Sequence, residues 1–376
     1  MRHEYFVPIS QARALIEVMG DVDTCAIIGE RGIGKTSLYY ELRKSPKFAN
    51  HIFVEPIDCS QLSDGSILMP DIDREARVSR ELPNERLGIS ATNRRGVPGA
   101  RPVMLFFDEF GKTTRYIHNI LAPIVNEHRI GNDYLPDGSM VMLAMNLEVE
   151  GLGDKIQPHV EDRMITLYVS KPTLAEFSAY GESVGLNTQV MAYVQEYPQI
   201  LESFVDYEPG GPYYGQDLSK VNGRIPNPRM TGNKGATPRS LHRMGRILDR
   251  CDTPVSGVDE RTLEAAIAGT VGHLVAKEFM AFRAFGRLNC STARVFADPA
   301  GAPVATNAMA QRQQAMRLLR EAADRSQAEA ASLHISRMYA EIQGMFVQLV
   351  AGSQRKALFG TVKSYQDIQV KHKDLL

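Results

Sequence analysis

Residues Gly29 to Ser37 read Gly-Glu-Arg-Gly-Ile-Gly-Lys-Thr-Ser and follow directly on the apolar run Thr24 to Ile28. Gly29 to Thr36 fit G-x-x-x-x-G-K-[ST] in full, in the strand-then-helix setting that gives the pattern its chemistry. Glycines let successive backbone N–H groups converge on phosphate oxygens, and the helix that follows contributes its positive end. Lys35 is expected to reach the β- and γ-phosphates of ATP and Thr36 to ligate Mg²⁺. The whole segment Gly29, Glu30, Arg31, Gly32, Ile33, Gly34, Lys35, Thr36 and Ser37 is then the nucleotide cradle.

A second chemical group lies about 70 residues on, where Val103 to Phe107 end in Asp108-Glu109. A carboxylate at Asp108 suits the Mg²⁺ shell, and one at Glu109 suits a general base that polarises the attacking water. Asn146 closes the run "VMLAMN". Taken alone it is as well explained by capping or turn formation as by orienting that water, and only the order of the motifs favours the second reading. Arg163, just before a fifth apolar run, and Arg239, at the start of a helical pattern in "GATPRSLHRMGRIL", are each by themselves ordinary surface charges.

These residues need strands and helices to carry them. Thr24 to Ile28, Ile52 to Ile57, Val103 to Phe107, Met140 to Met145 and Met164 to Val169 are short apolar runs separated by helical periodicity, as expected for a five-stranded parallel α/β sheet. One connection, Cys59 to Pro102, spans 44 residues and is polar, which predicts an insert at about 60–102 with its own helix or hairpin. A second hairpin is predicted at about 129–145, with its extended runs on either side of Pro136-Asp137-Gly138. The α/β nucleotide-binding core is thus expected over 1–170. A small all-α domain over 171–297 is expected to follow, and then the linker "DPAGAPVAT" and a helical C-terminal extension over 298–376. In that extension Ile335, Met338, Ile342, Met345 and Leu349 form a stripe at helical spacing, best read as packing onto the chain itself or a neighbouring subunit.

Composition bounds the reading. With 376 residues and 43% apolar content, the chain is long enough for about two domains of ordinary size. A formal net charge of −1 gives no global signal for nucleic acid or an anionic membrane. The N-terminus is charged and no long apolar run occurs, so a cytoplasmic protein without a membrane span is expected. Cys25, Cys59, Cys251 and Cys290 are scattered and show no metal-binding spacing.

The set GERGIGKT, LFFDEF, AMN, EDR and GATPRS, in this order over about 250 residues, resembles the AAA+ ATPases and specifically the MoxR-type branch. The resemblance implies a RecA-like P-loop core with a helical lid, assembled into a ring of six. It also implies roles: Asn146 as the sensor 1 residue, Arg163 as the arginine finger offered to a neighbouring subunit, and Arg239 as the sensor 2 arginine of the lid. The two surplus segments match the helix-2 insert and the hairpin before sensor 1, both facing a central pore. The chain departs from the usual pattern after Glu109, where "FGKT" stands, and the restraint on Glu109 is left open. The implied activity is ATP hydrolysis used to remodel or mature a partner protein, such as one with a von Willebrand factor A domain. The alternative is a DNA-associated motor, supported by Lys220, Arg224, Arg229, Lys234, Arg239, Arg243 and Arg246, with no Asp or Glu between Asp217 and Asp249. A structural ring that binds ATP without turning it over is a third reading, and intact Glu109, Asn146 and Arg163 count against it.

Overall fold

Three apolar runs without polar alternation form the centre of a sheet. Cys25–Gly29, Val103–Asp108 and Met140–Met145 are buried throughout except for Asp108 at its strand's exit, which is why they carry no polar face. The computed structural model describes residues 5–147, 158–216, 223–228, 234–253, 255–286 and 290–373. They form two compact units, Met1–Lys171 with Pro209–Pro212, and Pro172–Glu208 with Tyr213–Leu376.

In the first unit the chain runs β1 (Phe6–Val7), α1 (Ile9–Met19), β2 (Cys25–Gly29), α2 (Lys35–Arg43), β3 (Ile52–Phe53), β4 (Ile57–Asp58), β5 (Leu68–Asp73) and β6 (Val78–Pro83). It continues with β7 (Val103–Asp108), α3 (Arg115–Glu127), β8 (Arg129–Ile130), β9 (Asp133–Tyr134), β10 (Met140–Met145), α4 (Pro158–Glu161) and β11 (Ile165–Val169). The main sheet has the order β1-β11-β2-β10-β7-β3, with β4 also on β7, and every pairing in it is parallel.

The expected α/β class holds, while the count rises from five strands to seven. The run Ile52 to Ile57 is split into β3 and β4, both paired to β7, because Pro56 has no N–H to donate to the ladder. The added edge strand β1 pairs Phe6 with Tyr168. Tyr39 of α2 ties helix to sheet: its ring stacks on Phe53 and Phe106 at 4.8 and 4.9 Å, and its hydroxyl lies 2.7 Å from the Met104 carbonyl and 2.9 Å from that of Val54.

The long insert contains an antiparallel hairpin, β5 with β6, in register from Leu68↔Pro83 to Asp73↔Val78. Met69, Ile72, Val78 and Leu82 on it are exposed. The second hairpin differs from expectation. It is β8 with β9, turning at Gly131-Asn132, and not a pair of runs around Pro136-Asp137-Gly138. Met140–Met145 is already committed to parallel pairing with β2 and β7. Pro136 to Ser139 instead form the turn that feeds β10, closed by Ser139 N–H donating to the Pro136 carbonyl at 3.1 Å. Gly131 sits against the base of the insert hairpin: a Cβ there would meet Glu81 O and Leu68 Cδ2, each at 3.0 Å.

Every regular element of the second unit among the described residues is helical: α5 (Leu174–Val184), α6 (Thr188–Glu196), α7 (Pro238–Cys251), α8 (Glu260–Val271), α9 (His273–Gly286) and α10 (Thr292–Ala297). There follow α11 (Ala308–Glu321), α12 (Arg325–Ile335), α13 (Ala340–Gly352), α14 (Lys356–Phe359) and α15 (Lys363–Lys371). Capping boxes at Thr173/Glu176 and Thr237/Ser240 start α5 and α7.

Helix α11 belongs to two cores. Met316 packs with Phe177, Tyr193 and Phe279, while Ala315, Leu318 and Leu319 pack with Ile335, Phe346 and Phe359. Three buried glutamines on α11 satisfy backbone carbonyls: Gln311 donates to Ala305 O at 2.7 Å, Gln313 to Phe282 O in α9 at 3.0 Å and Gln314 to Cys290 O at 3.3 Å. Residues 298–373 are thereby part of one unit with residues 172–208 and 213–297. The apolar stripe is internal, divided between α12 and α13, with Ile335, Met338 and Ile342 buried and Met345 and Leu349 packed beside them. Among the described residues no helix is long and apolar enough to cross a membrane.

Candidate active site

Parallel pairing brings the exits of β2, β10 and β7 to one edge of the sheet. Ile28 stands beside Met145, and Leu143 beside Phe107, so the residues that follow these strands converge. After β2 the chain turns through Glu30 to Gly34, with Gly32 and Gly34 at φ 75° and 110°, where side chains are rarely tolerated. Gly29 is required for space: a Cβ would meet Ile33 Cδ1 at 2.6 Å and Val169 O at 2.7 Å. Helix α2 starts at Lys35, so its first N–H groups end the loop.

Five of the expected site residues, Lys35, Thr36, Asp108, Glu109 and Asn146, meet. Buried Lys35 donates through Nζ to the carbonyls of Gly29 at 2.7 Å and Glu30 at 2.9 Å, and to Asn146 Oδ1 at 2.9 Å. Asn146 donates through Nδ2 to Glu109 Oε2 at 2.9 Å. Thr36 Oγ1 donates to Asp108 Oδ2 at 2.8 Å, and Asp108 Oδ1 accepts the Glu109 N–H at 2.9 Å. Glu109 has φ 54° and ψ 33°, left-handed geometry that a carboxylate residue adopts only when its surroundings hold it there.

No family model and no curated protein matches the sequence. Among solved structures, the chain is similar to NtrX of Brucella abortus in complex with ADP, at 15% identity and a TM-score of 0.37, over 97% of this chain and 68% of that one. It is also similar to the Thermotoga maritima RuvB Holliday junction branch migration motor, at 13% identity and a TM-score of 0.33, over 96% of this chain and 85% of that one. Similarity at that level assigns no function.

Two residues that the sequence reading did not single out join the site. Lys112, in the short turn Phe110–Lys112, places Nζ 2.5 Å from Glu109 Oε2. That turn is fixed by His118, whose ring stacks on Phe110 at 4.7 Å and whose Nε2 lies 2.8 Å from the Phe110 carbonyl. The signal was a lysine three residues after the acidic pair, in the "FGKT" that departs from the usual pattern. Lys171, just past β11, is buried and ion-pairs with Glu30 of the loop at 3.2 Å. Its signal was its position beyond a strand neighbouring β2, visible only once the strand order is known.

Arg163 is not gathered with this set. Arg163 is exposed and precedes β11, whose far end, Val169, is the neighbour of Gly29. At ~3.3 Å per strand residue the length of β11 alone, about 13 Å, separates its Arg163 end from its own loop. Arg239 is in the second unit, exposed on the first turn of α7.

Burial works against thiolate formation at Cys59 and Cys25. Burial pushes the Cys59 thiol far above its ordinary range, with Asp58, Asp108 and Glu109 adding to the effect, and burial with Asp23 pushes Cys25 up to about 12. Thr36 and Asp108 offer a hydroxyl and a carboxylate already within hydrogen-bond distance and of the oxygen type that Mg²⁺ prefers. They fit that ion, as the loop with its two left-handed glycines and Lys35 fits a triphosphate.

Proposed function

We propose that the chain is a P-loop ATP hydrolase of the AAA+ class that works as a ring, in the manner of the MoxR-type branch, to remodel or mature a partner protein. The observation that carries this reading is the continuous contact from Lys35 through Asn146 to Glu109, set beside the Thr36–Asp108 pair. Five residues from three strand exits meet where a phosphate loop ends, and no structural need of the sheet calls for all of them. Mg²⁺, when bound, supplies charge neutralisation at the transferred phosphoryl group.

In this proposal the chain's own groups divide the remaining work. Backbone N–H groups of residues 30–36 and the start of α2 bind phosphate oxygens, and Lys35 leaves the carbonyls of Gly29 and Glu30 to meet them. Thr36 and Asp108 hold the metal. Glu109 takes the proton of the attacking water, which Asn146 orients. Arg163 serves the site of another copy, because it lies too far from its own, and a finger in trans is worth roughly 10³ to 10⁵ in rate. Arg239 reads the nucleotide from the second unit. A ring, six-membered by resemblance, follows from that division of labour. A protein with a von Willebrand factor A domain is the partner class that the resemblance implies.

A purified Glu109→Gln protein tests the reading. Nucleotide binding with turnover reduced at least 100-fold supports it, and unchanged turnover overturns the catalytic assignment. The same variant used as bait identifies the partner.

The nucleic-acid reading keeps one specific support. Arg239, Arg243 and Arg246 are exposed along α7. The rest of the basic stretch is accounted for differently: Arg224 pairs with Glu278, Lys234 donates to the Gly269 carbonyl, and Lys220 and Arg229 lie outside the described residues. DNA-stimulated turnover that falls steeply with salt would favour this reading.

A further inference from the structure

A phosphate loop is an unfavourable place for a buried carboxylate, since a negative charge there opposes the negative ligand. This loop has one. Glu30 follows Gly29, the first residue of the motif, and its side chain is only 3% exposed. Its main-chain carbonyl holds Lys35 Nζ at 2.9 Å, and its carboxylate ion-pairs through Oε2 with Lys171 Nζ at 3.2 Å. Lys171 is equally buried, its side chain 3% exposed.

Lys171 is held from its strand side. Val169 stands in register with Gly29, and Ser170 N–H donates to the Val7 carbonyl at 3.0 Å, extending the parallel pairing up to the residue before Lys171. Lys171 also ends the main segment of the first unit, immediately before Pro172. One residue of the loop is thus gripped by two lysines, its carbonyl by Lys35 and its carboxylate by Lys171.

We infer that Lys171 is a positioning residue of the nucleotide site: it neutralises Glu30, and through Glu30 it fixes the carbonyl on which Lys35 waits. This rests on the nucleotide-binding reading given above. Buried charge pairs are screened little by salt, and removing one partner leaves the other's charge acting on its surroundings. The two single variants therefore move nucleotide affinity in opposite directions. Lys171→Met removes the counter-charge to Glu30 from a loop that must take up phosphates, and weakens binding. Glu30→Gln removes the carboxylate charge and strengthens binding. A pair that served folding alone would lower the unfolding temperature in both variants and shift affinity the same way in both.

The experiment measures the dissociation constant of fluorescently labelled ADP for the full chain and for Lys171→Met, Glu30→Gln and the double variant, with thermal unfolding of each followed in parallel. The expected result is at least a tenfold loss of affinity in Lys171→Met, a severalfold gain in Glu30→Gln, and a double variant within about threefold of the parent. Parent-like affinity in Lys171→Met overturns the inference alone, as does a loss of equal size in both single variants. A parent chain that binds no nucleotide overturns the nucleotide reading and this inference with it. If Lys171→Met does not fold, Glu30→Gln and the double variant still decide: a loss of affinity in both overturns the inference.

Discussion

Glu109 is the residue on which the site turns. It sits in left-handed backbone geometry, and its Oε2 is shared by Asn146 and Lys112. Lys112 answers the question left by "FGKT", since it supplies a restraint on the carboxylate from the same turn of chain. Both partners of that pair are partly exposed, so the pair is worth on the order of 1 kcal/mol at most, a factor of about five in rate. Lys112→Ala is accordingly expected to raise unstimulated turnover by up to about fivefold while leaving the affinity for ADP unchanged, a separation that steady-state rates and equilibrium binding read independently. A fall in turnover would show that Lys112 assists the chemistry and does not restrain it. At the same scale, Tyr39→Phe deletes a buried hydroxyl that reaches two backbone carbonyls of the sheet. Urea unfolding is expected to report a loss of about 1–2 kcal/mol.

Elements were legible where their pattern was local. The central strands needed no partner to declare themselves, because Val103–Asp108 and Met140–Met145 are apolar on both faces whichever neighbours they have. The loop and the acidic pair were equally plain, since each is a contiguous motif. Signals that depend on pairing were not. The two-residue β1 carries no pattern of its own, Pro56 breaks a run that composition alone shows as continuous, and the turn at Gly131-Asn132 was masked by the stronger-looking Pro136-Asp137-Gly138. Lys171 and Lys112 entered the site only through strand order and a short turn. The exposed insert hairpin also belongs to this scale. Its apolar residues Met69, Ile72, Val78 and Leu82 contribute little to the fold, so replacing residues 69–82 by a short Gly/Ser linker is expected to preserve ADP binding and unstimulated turnover. Stimulation by a partner protein is expected to disappear, and an unchanged stimulation would place partner contact elsewhere.

At the scale of the whole molecule, the separation of Arg163 from its own loop makes a quantitative demand on any assembly. Glu109→Gln and Arg163→Ala chains, each nearly inactive, should recover turnover on mixing, because a Glu109 from one variant can meet an Arg163 from the other. Random rings would hold about a quarter of their sites intact. No recovery, in rings shown to exchange subunits, would remove the trans role of Arg163. Acid is a second global test. Burial lowers the pKa of His128 and His334 from the ordinary 6.5, so below that value the unfolded chain takes up protons that the folded chain resists. Stability is therefore expected to be level above neutrality and to fall as pH drops through 6.5 toward the depressed values. His334→Gln should flatten that slope in thermal unfolding recorded across pH.

Helix α11 has a practical consequence for anyone who divides this chain into pieces. Because one of its faces completes the core of α5–α9 and another that of α10–α15, a cut at the Gly/Pro-rich stretch near 298–306 would leave two fragments, each with a raw apolar face. Fragments made there should aggregate or cling to each other, whereas a cut at Lys171–Pro172, where the chain passes from one compact unit to the other, is expected to divide it more cleanly. Split-protein reassembly would then become a way to ask which half carries the partner.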